Sequence, residues 1–311
     1  QTENLMFGIS TSWKSPEIRD GIQLIDELEK TGIPGVELDY RISAEAFHQI
    51  RNRLKTSQLT VLSLHNYCPC PDILPIEKAT GDAFRLSSID EPERKLGVQY
   101  SIQTIQNAHE LGARAVVFHL GHIEIEREAD RWFSLAENGK FQNQQGTEFH
   151  QRKLKERAQA QQPYFDALLR SLDQLNQEAE KLNILIGVEN RYYCEQLPGY
   201  DEFGLIFDRF KGGKIGYWHD VGHAQASETF KLGDHEQYLK SYSNQLIGIH
   251  LHDAQNFGYN DHFAPGSGLI DFEMIKRYLP DHAIRIIETH PKVTAEELER
   301  GVQFLKEKGI V

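Results

Sequence analysis

Cysteine is scarce in this chain: Cys68 and Cys70 stand in "CPCP", and Cys194 follows "NRYY". An odd number, two of them parted by a single proline, fits neither a disulfide framework nor the C-x-x-C spacing of zinc and redox sites, so a reducing compartment is expected. Also missing is any apolar run near the roughly 20 residues that span a bilayer, so a soluble protein with no membrane partner is expected. Positive charge is in short supply, with 34 Lys and Arg against 46 Asp and Glu and a net charge of −12. That balance opposes broad attraction to a phosphate backbone, and nucleic acid is not the expected partner, a local basic cleft aside. No glycine-rich dinucleotide fingerprint follows the first apolar segment, which weakens an open doubly wound sheet. The chain starts at Gln1, so the lack of a signal peptide decides nothing, and a cytoplasmic location is the default.

What the sequence does contain is alternation. Eight short, β-rich apolar runs ("LMFGIS", "GVELDY", "LTVLSLHNY", "RAVVFHLGH", "ILIGVEN", "KIGYWHD", "LIGIHLHD" and "AIRIIETH") are separated by amphipathic segments such as "PEIRDGIQLIDELEKTG" and "QPYFDALLRSLDQLNQEAEKLN". Apolar residues at helical spacing mark those segments as helices, and several end in a glycine of the kind that caps a helix. Alternating β and α elements imply parallel strands joined by right-handed crossovers, and eight such units close a (β/α)8 TIM barrel. A single α/β domain over residues 1–311 is therefore expected. One segment breaks the rhythm: residues 123–162 are charged and Gln-rich and read as a helical insertion after strand four. Residues 68–92, rich in proline and turn residues, form a second irregular stretch after strand three. Both follow strand C-termini, where barrel enzymes build substrate loops.

The segment "IGYWHDVGHA" drives His219, Asp220 and His223 into an apolar run, a costly burial unless something binds them. Asp220 capping a helix would be one ordinary explanation. Its neighbours supply another. Glu189 ends "ILIGVEN", Asp220 ends "KIGYWHD", His250 lies near the end of "LIGIHLHD", and Glu288 near the end of "AIRIIETH". Adjacent strands lie about 4.8 Å apart, so inward groups from four successive strand ends can converge on one ion. Two glutamates, an aspartate and an imidazole suit Mn²⁺, Mg²⁺, Co²⁺ or Zn²⁺ better than a thiolate-seeking metal. His65, His119, His223 and His262 fall at or beside the same end of the barrel and are candidates for further metal or substrate binding. His252 lies farther out than His250 on the same pleat and reads as a partner of the ligands or a substrate contact. Arg191 could steer a hydroxyl, carboxylate or phosphate, and Trp13 could wall a sugar face.

This set of residues, from "FGIS" to "IIETHP" apart from the insertion, resembles the xylose-isomerase-like TIM-barrel superfamily, which holds sugar isomerases and epimerases together with the endonuclease IV family. The epimerase resemblance implies one divalent ion on Glu189, Asp220, His250 and Glu288, with His223 touching substrate and Glu189 and Glu288 as the paired acid and base. The reaction would then be isomerisation or epimerisation of a small carbohydrate (sugar, sugar phosphate or polyol) through a metal-stabilised enediolate. The endonuclease resemblance implies instead a zinc phosphodiesterase acting on abasic DNA, with His65, His119, His223 and His262 as added zinc ligands. That pattern wants an aspartate two residues before His262, where this chain has Asn260. A third alternative is a barrel that binds sugar or metal without catalysis, against which the intact glutamate pair speaks. A homo-oligomer is left open.

Overall fold

The computed structural model describes residues 6–256 and 259–311; Leu5, part of the first apolar run, lies outside them. The barrel strands are β1 (Phe7–Ser10), β2 (Gly35–Leu38), β3 (Thr60–His65), β4 (Ala115–Phe118), β5 (Leu185–Glu189), β6 (Ile215–Asp220) and β7 (Leu246–Leu251). A short hairpin of β8 (Asp253–Gln255) and β9 (Asn260–Phe263) intervenes before the last barrel strand, β10 (Ile284–Ile287). All eight runs read from the sequence are strands, each trimmed by a residue or more. They pair in parallel around a closed ring in the order β1-β10-β7-β6-β5-β4-β3-β2. The chain is thus a (β/α)8 TIM barrel in a single domain.

Among the described residues ten α-helices accompany the strands: α1 (Gly21–Glu29), α2 (Ala44–Leu54), α3 (Glu91–Glu110), α4 (Ala129–Glu137), α5 (Gln144–Leu182), α6 (Tyr200–Arg209), α7 (Val221–Thr229), α8 (His235–Tyr242), α9 (Phe272–Tyr278) and α10 (Ala295–Glu307). Most begin on a side chain that accepts an otherwise orphaned N–H, as Asp20 does from Gln23, Ser43 from Ala46 and Asp234 from Gln237. The barrel strands are buried along nearly their whole length, which explains their continuous apolar runs. One core lies between the strands and the helices. A smaller one fills the barrel itself, where Trp218 packs with Leu62, Ile247 and Ile286. Among the described residues no helix is long and apolar enough to cross a membrane.

The insertion is packed structure. Its α4 and the start of α5 enclose a separate small core in which Trp132, Leu135 and Phe149 meet Cys194, Ala226 and Phe230. The boundary read at residue 162 does not exist as a break, because α5 runs unbroken through Pro163 for 39 residues. An interior proline lacks an N–H and costs about 3 kcal/mol, and contacts on both sides outweigh it. Before it, Arg157 makes a bidentate pair with Glu202 (2.8 and 2.8 Å) and donates to the Cys194 carbonyl at 2.8 Å. Beyond it, Phe165, Leu168, Leu172 and Leu175 enter the main core.

Candidate metal centre at the barrel mouth

Parallel register brings the four acid and imidazole side chains to the same end of the barrel. Asp220 pairs with His250 across β6 and β7, and His250 pairs with Ile286, two residues before Glu288, across β7 and β10. Glu189 ends β5 beside Trp218 of β6. All four are buried, and each offers a ligand atom within 4.8 Å of the other three. His250 is their focus. Its Nδ1 lies 2.7 Å from Glu189 Oε1, 3.0 Å from Glu288 Oε2 and 3.6 Å from Asp220 Oδ2.

The opposite ring nitrogen, Nε2, faces both oxygens of Glu37 at 3.1 and 3.3 Å. Glu37 is itself fully buried on β2 and accepts from Ser63 Oγ at 2.7 Å. A carboxylate on Nε2 assigns that nitrogen the proton and turns the Nδ1 lone pair toward three further carboxylates. Four acceptors then face one point, which calls for a cation. A divalent ion fits this donor set: three carboxylates and one imidazole, already oriented. Without a metal, a proton on Nδ1 is the cation at that point: burial opposes charge on His250, yet Glu288 and Glu37 outweigh it and carry its pKa well above the ordinary value, and a divalent ion would displace that proton. Burial alone would likewise push the Glu189 and Asp220 carboxyls up. The imidazoles facing them, His119 foremost for Glu189 and His223 and His252 for Asp220, reverse this and hold both well below the carboxylate range.

Asp220 carries two duties, and so both readings of "IGYWHDVGHA" apply. Its Oδ1 caps α7 by accepting from the His223 N–H at 2.7 Å, while both carboxylate oxygens face His252 Nε2 at 3.0 and 3.1 Å. Its backbone is fixed by Asn190, whose amide accepts from Asp220 N–H and donates to Asp220 C=O. His252 in turn accepts the backbone N–H of His262 on Nδ1 at 2.9 Å. Gly222 makes this packing possible, since a Cβ there would lie 2.2 Å from the His252 ring.

Of the remaining candidates, His65, His119, Arg191, His223 and His262 line a cavity of about 320 Å³ above this centre, together with His290 and others. His119 Nε2 lies 2.6 Å and His65 Nε2 3.7 Å from Glu189 Oε2, the oxygen not turned to His250. His223 Nδ1 faces the Asn190 carbonyl at 3.1 Å, and burial pushes its pKa down to about 4, Asp220 offsetting only part of this. His262 adopts a left-handed φ of 61° and stacks on His252 with ring centroids 4.2 Å apart. Arg191 reaches His119 Nε2 at 2.7 Å.

Trp13 is not brought to the mouth. Its indole is 1% exposed, donates to the Val293 carbonyl at 2.7 Å, and faces a cavity between α1 and α10. The residue one before it, Ser12, lines the mouth instead. Several residues at the site went unread in the sequence. Glu37 had a signal, an acid inside the apolar run "GVELDY". Asp82 had none, coming from the irregular stretch to place Oδ2 3.1 Å from His119 Nδ1. There Gly81 is required, since a Cβ would lie 2.8 Å from the same Nδ1. Asp261, next to the Asn260 that breaks the endonuclease pattern, sets its carboxylate 2.7 Å from His262 Nδ1.

Comparison with known proteins follows this geometry. A family model described as xylose isomerase-like TIM barrel matches residues 25–308. A search of curated protein sequences finds no match. Among solved structures, a D-tagatose 3-epimerase-like protein superposes with a TM-score of 0.68 at 19% identity, covering 98% of this chain and 97% of that one. D-psicose 3-epimerase, crystallised in the presence of D-fructose, gives 0.64 at 12% identity over 97% and 99%. The IOLI protein, whose crystal structure holds a zinc atom, gives 0.64 at 14% identity over 98% and 97%.

Proposed function

Because the chain belongs to the xylose isomerase-like TIM barrel family, we propose that it is a divalent-metal-dependent sugar isomerase or epimerase working by proton transfer next to a carbonyl. The observation that carries this reading is the convergence of Glu189, Asp220 and Glu288 on the Nδ1 lone pair of His250. A divalent ion bound there would act as a Lewis acid on the carbonyl and neighbouring hydroxyl oxygens of the sugar. Glu189 and Glu288 both face Nδ1 of the same imidazole, and their ligand atoms lie within 4.8 Å of each other. One would take the proton from carbon and the other return it, on another face for an epimerase or another atom for an isomerase. Glu37 and His252 hold the ligands in position, and His223 faces the cavity to meet a substrate hydroxyl. Both arginines at the mouth are engaged with carboxylates, Arg41 with Asp39 at 2.6 Å and Arg191 with Asp82 at 3.6 Å. That supports an uncharged sugar over a sugar phosphate. The likeness to D-psicose 3-epimerase and to a D-tagatose 3-epimerase-like protein supports the same substrate class.

The test is isotope exchange. Incubation with a panel of ketoses in deuterated water should place deuterium at the carbon beside the carbonyl, and Glu288→Gln should stop it, because the amide cannot take the proton. Metal occupancy of the variant is measured alongside, since Glu288 is also a proposed ligand. A second reading, a zinc phosphodiesterase on abasic DNA, draws on the further donor groups His65–His119–Glu189 and Asp220–His223–His262. Metal-dependent cleavage of abasic-site DNA with no exchange into any ketose would replace the first reading with the second.

A further inference from the structure

The donor group formed by His65, His119 and Glu189 is a second position where a cation could sit. It uses Glu189 Oε2, leaving Oε1 on the His250 side. His119 Nδ1 faces Asp82 Oδ2 at 3.1 Å, while Nε2 lies 2.6 Å from Glu189 Oε2 and 2.7 Å from Arg191 NH1; a guanidinium only donates, so its contact turns the Nε2 lone pair to this spot. Two acceptors that close need a positive group beside them. The chain supplies one. Arg191 NH1 lies 2.7 Å from His119 Nε2 and 3.4 Å from Glu189 Oε2.

We propose that the Arg191 guanidinium is a built-in cation standing in for a second divalent ion at His65, His119 and Glu189, so that the centre holds one metal rather than two. This rests on the reading that Glu189, Asp220, His250 and Glu288 hold the first. Arginine suits the task because its charge persists at every working pH and its fork reaches His119, Glu189 and Asp82 at once. Its placement is fixed from below by Asn190, which is bound to the Asp220 backbone and accepts from the Tyr217 hydroxyl at 3.1 Å. The side chain is 12% exposed, and NH1 also lies 3.4 Å from His223 Nδ1. Its Nε has no partner among the described residues, so the guanidinium is held at this spot by the groups around NH1 and NH2. The consequence is chemical. Two metals sharing a bridging carboxylate form the clamp that stabilises both oxygens of a phosphoester displacement, while one metal serves proton transfer. Arg191 would keep a histidine-rich rim from becoming the former.

Equilibrium dialysis of metal-stripped protein against Mn²⁺, with the bound ion counted by mass spectrometry and by electron paramagnetic resonance, tests this directly. Wild type should bind one ion per chain with the spectrum of an isolated Mn²⁺. Arg191→Met should bind two, with the exchange-coupled spectrum of a bridged pair, and adding His119→Ala should return the count to one. If Arg191→Met does not fold, judged by circular dichroism, Arg191→Gln takes its place, removing the charge while keeping polarity. Two ions in wild type would overturn the proposal and show a two-metal centre, whereas one ion in the folded charge-free variant overturns it and leaves the mononuclear reading untouched. No ion in wild type overturns the underlying reading itself, and this proposal with it.

Discussion

Glu37 is the residue whose replacement should reveal how the centre is built. It touches no substrate-facing surface, being fully buried on β2, and its two oxygens face His250 Nε2 while Ser63 donates to one of them. In Glu37→Gln the amide oxygen can keep the His250 contact and the NH2 can turn to Ser63 Oγ, which also accepts. Shape survives and only the charge on the hydrogen bond is lost. A charge-assisted bond is about twice as strong as a neutral one, a difference of roughly 1–1.5 kcal/mol, and about 1.4 kcal/mol is tenfold in affinity. Glu37→Gln should therefore weaken divalent-ion binding about tenfold. Glu37→Ala frees the imidazole to turn or change tautomer and should cost nearer 100-fold, the upper end for lost partners of metal-bound histidines. Competition with a chromophoric chelator gives the dissociation constants, and thermal melts without metal separate binding from folding. If Glu37→Ala folds and binds metal as wild type does, Glu37 does not orient His250, and the tautomer argument behind the cation site fails.

Two further expectations concern the scaffold. Trp132→Ala in the insertion core, where the indole packs 5.0 Å from Phe149 and 6.0 Å from Phe230, should cost about 3–5 kcal/mol in urea unfolding; a loss below about 1 kcal/mol would mean the insertion is not packed as described. Glu93 is held by Arg85 and Ser88, which overcome its burial and lower its carboxyl to about 2. Its folded pKa lies below the unfolded value, so its contribution is complete above about pH 4.5 and is lost as pH falls toward 2. With a quarter of the side chain exposed, that contribution is discounted to roughly 1–2 kcal/mol. Glu93→Gln should lack this part of the acid-induced loss, and equal pH slopes for the two proteins would rule it out.

Much of the barrel was legible because a strand buried on both faces writes itself as an unbroken apolar run, and because a carboxylate at the end of such a run has few harmless explanations. Glu189, Asp220 and Glu288 were visible for that reason, and His250 by its place on the strand between the last two. Glu37 obeys the same logic but sits one residue inside its strand, where an acid looks like a lapse in the pattern rather than a strand end. Asp82 and Asp261 are set by an irregular stretch and by a hairpin in which His262 takes a positive φ, and neither has a period to read. The insertion bound at residue 162 falls just before Pro163; proline favours helix starts, yet tertiary contacts on either side carry α5 through it. Trp13 stands beside mouth residues in sequence but turns outward, a choice that spacing along a short 3-10 turn does not announce.

The unbroken α5 also bears on how the proposed substrate gets in and out. At 1.5 Å per residue its 39 residues span about 58 Å, one rod rooted among the barrel helices at one end and forming the insertion at the other. An added segment joined by two slack connections can swing on them like a trapdoor. This one is joined on its C-terminal side by a stiff helix whose first half is pinned to Glu202 and the Cys194 carbonyl, so it has no such pivot. It behaves as masonry, and traffic through the mouth has to pass elsewhere along the rim.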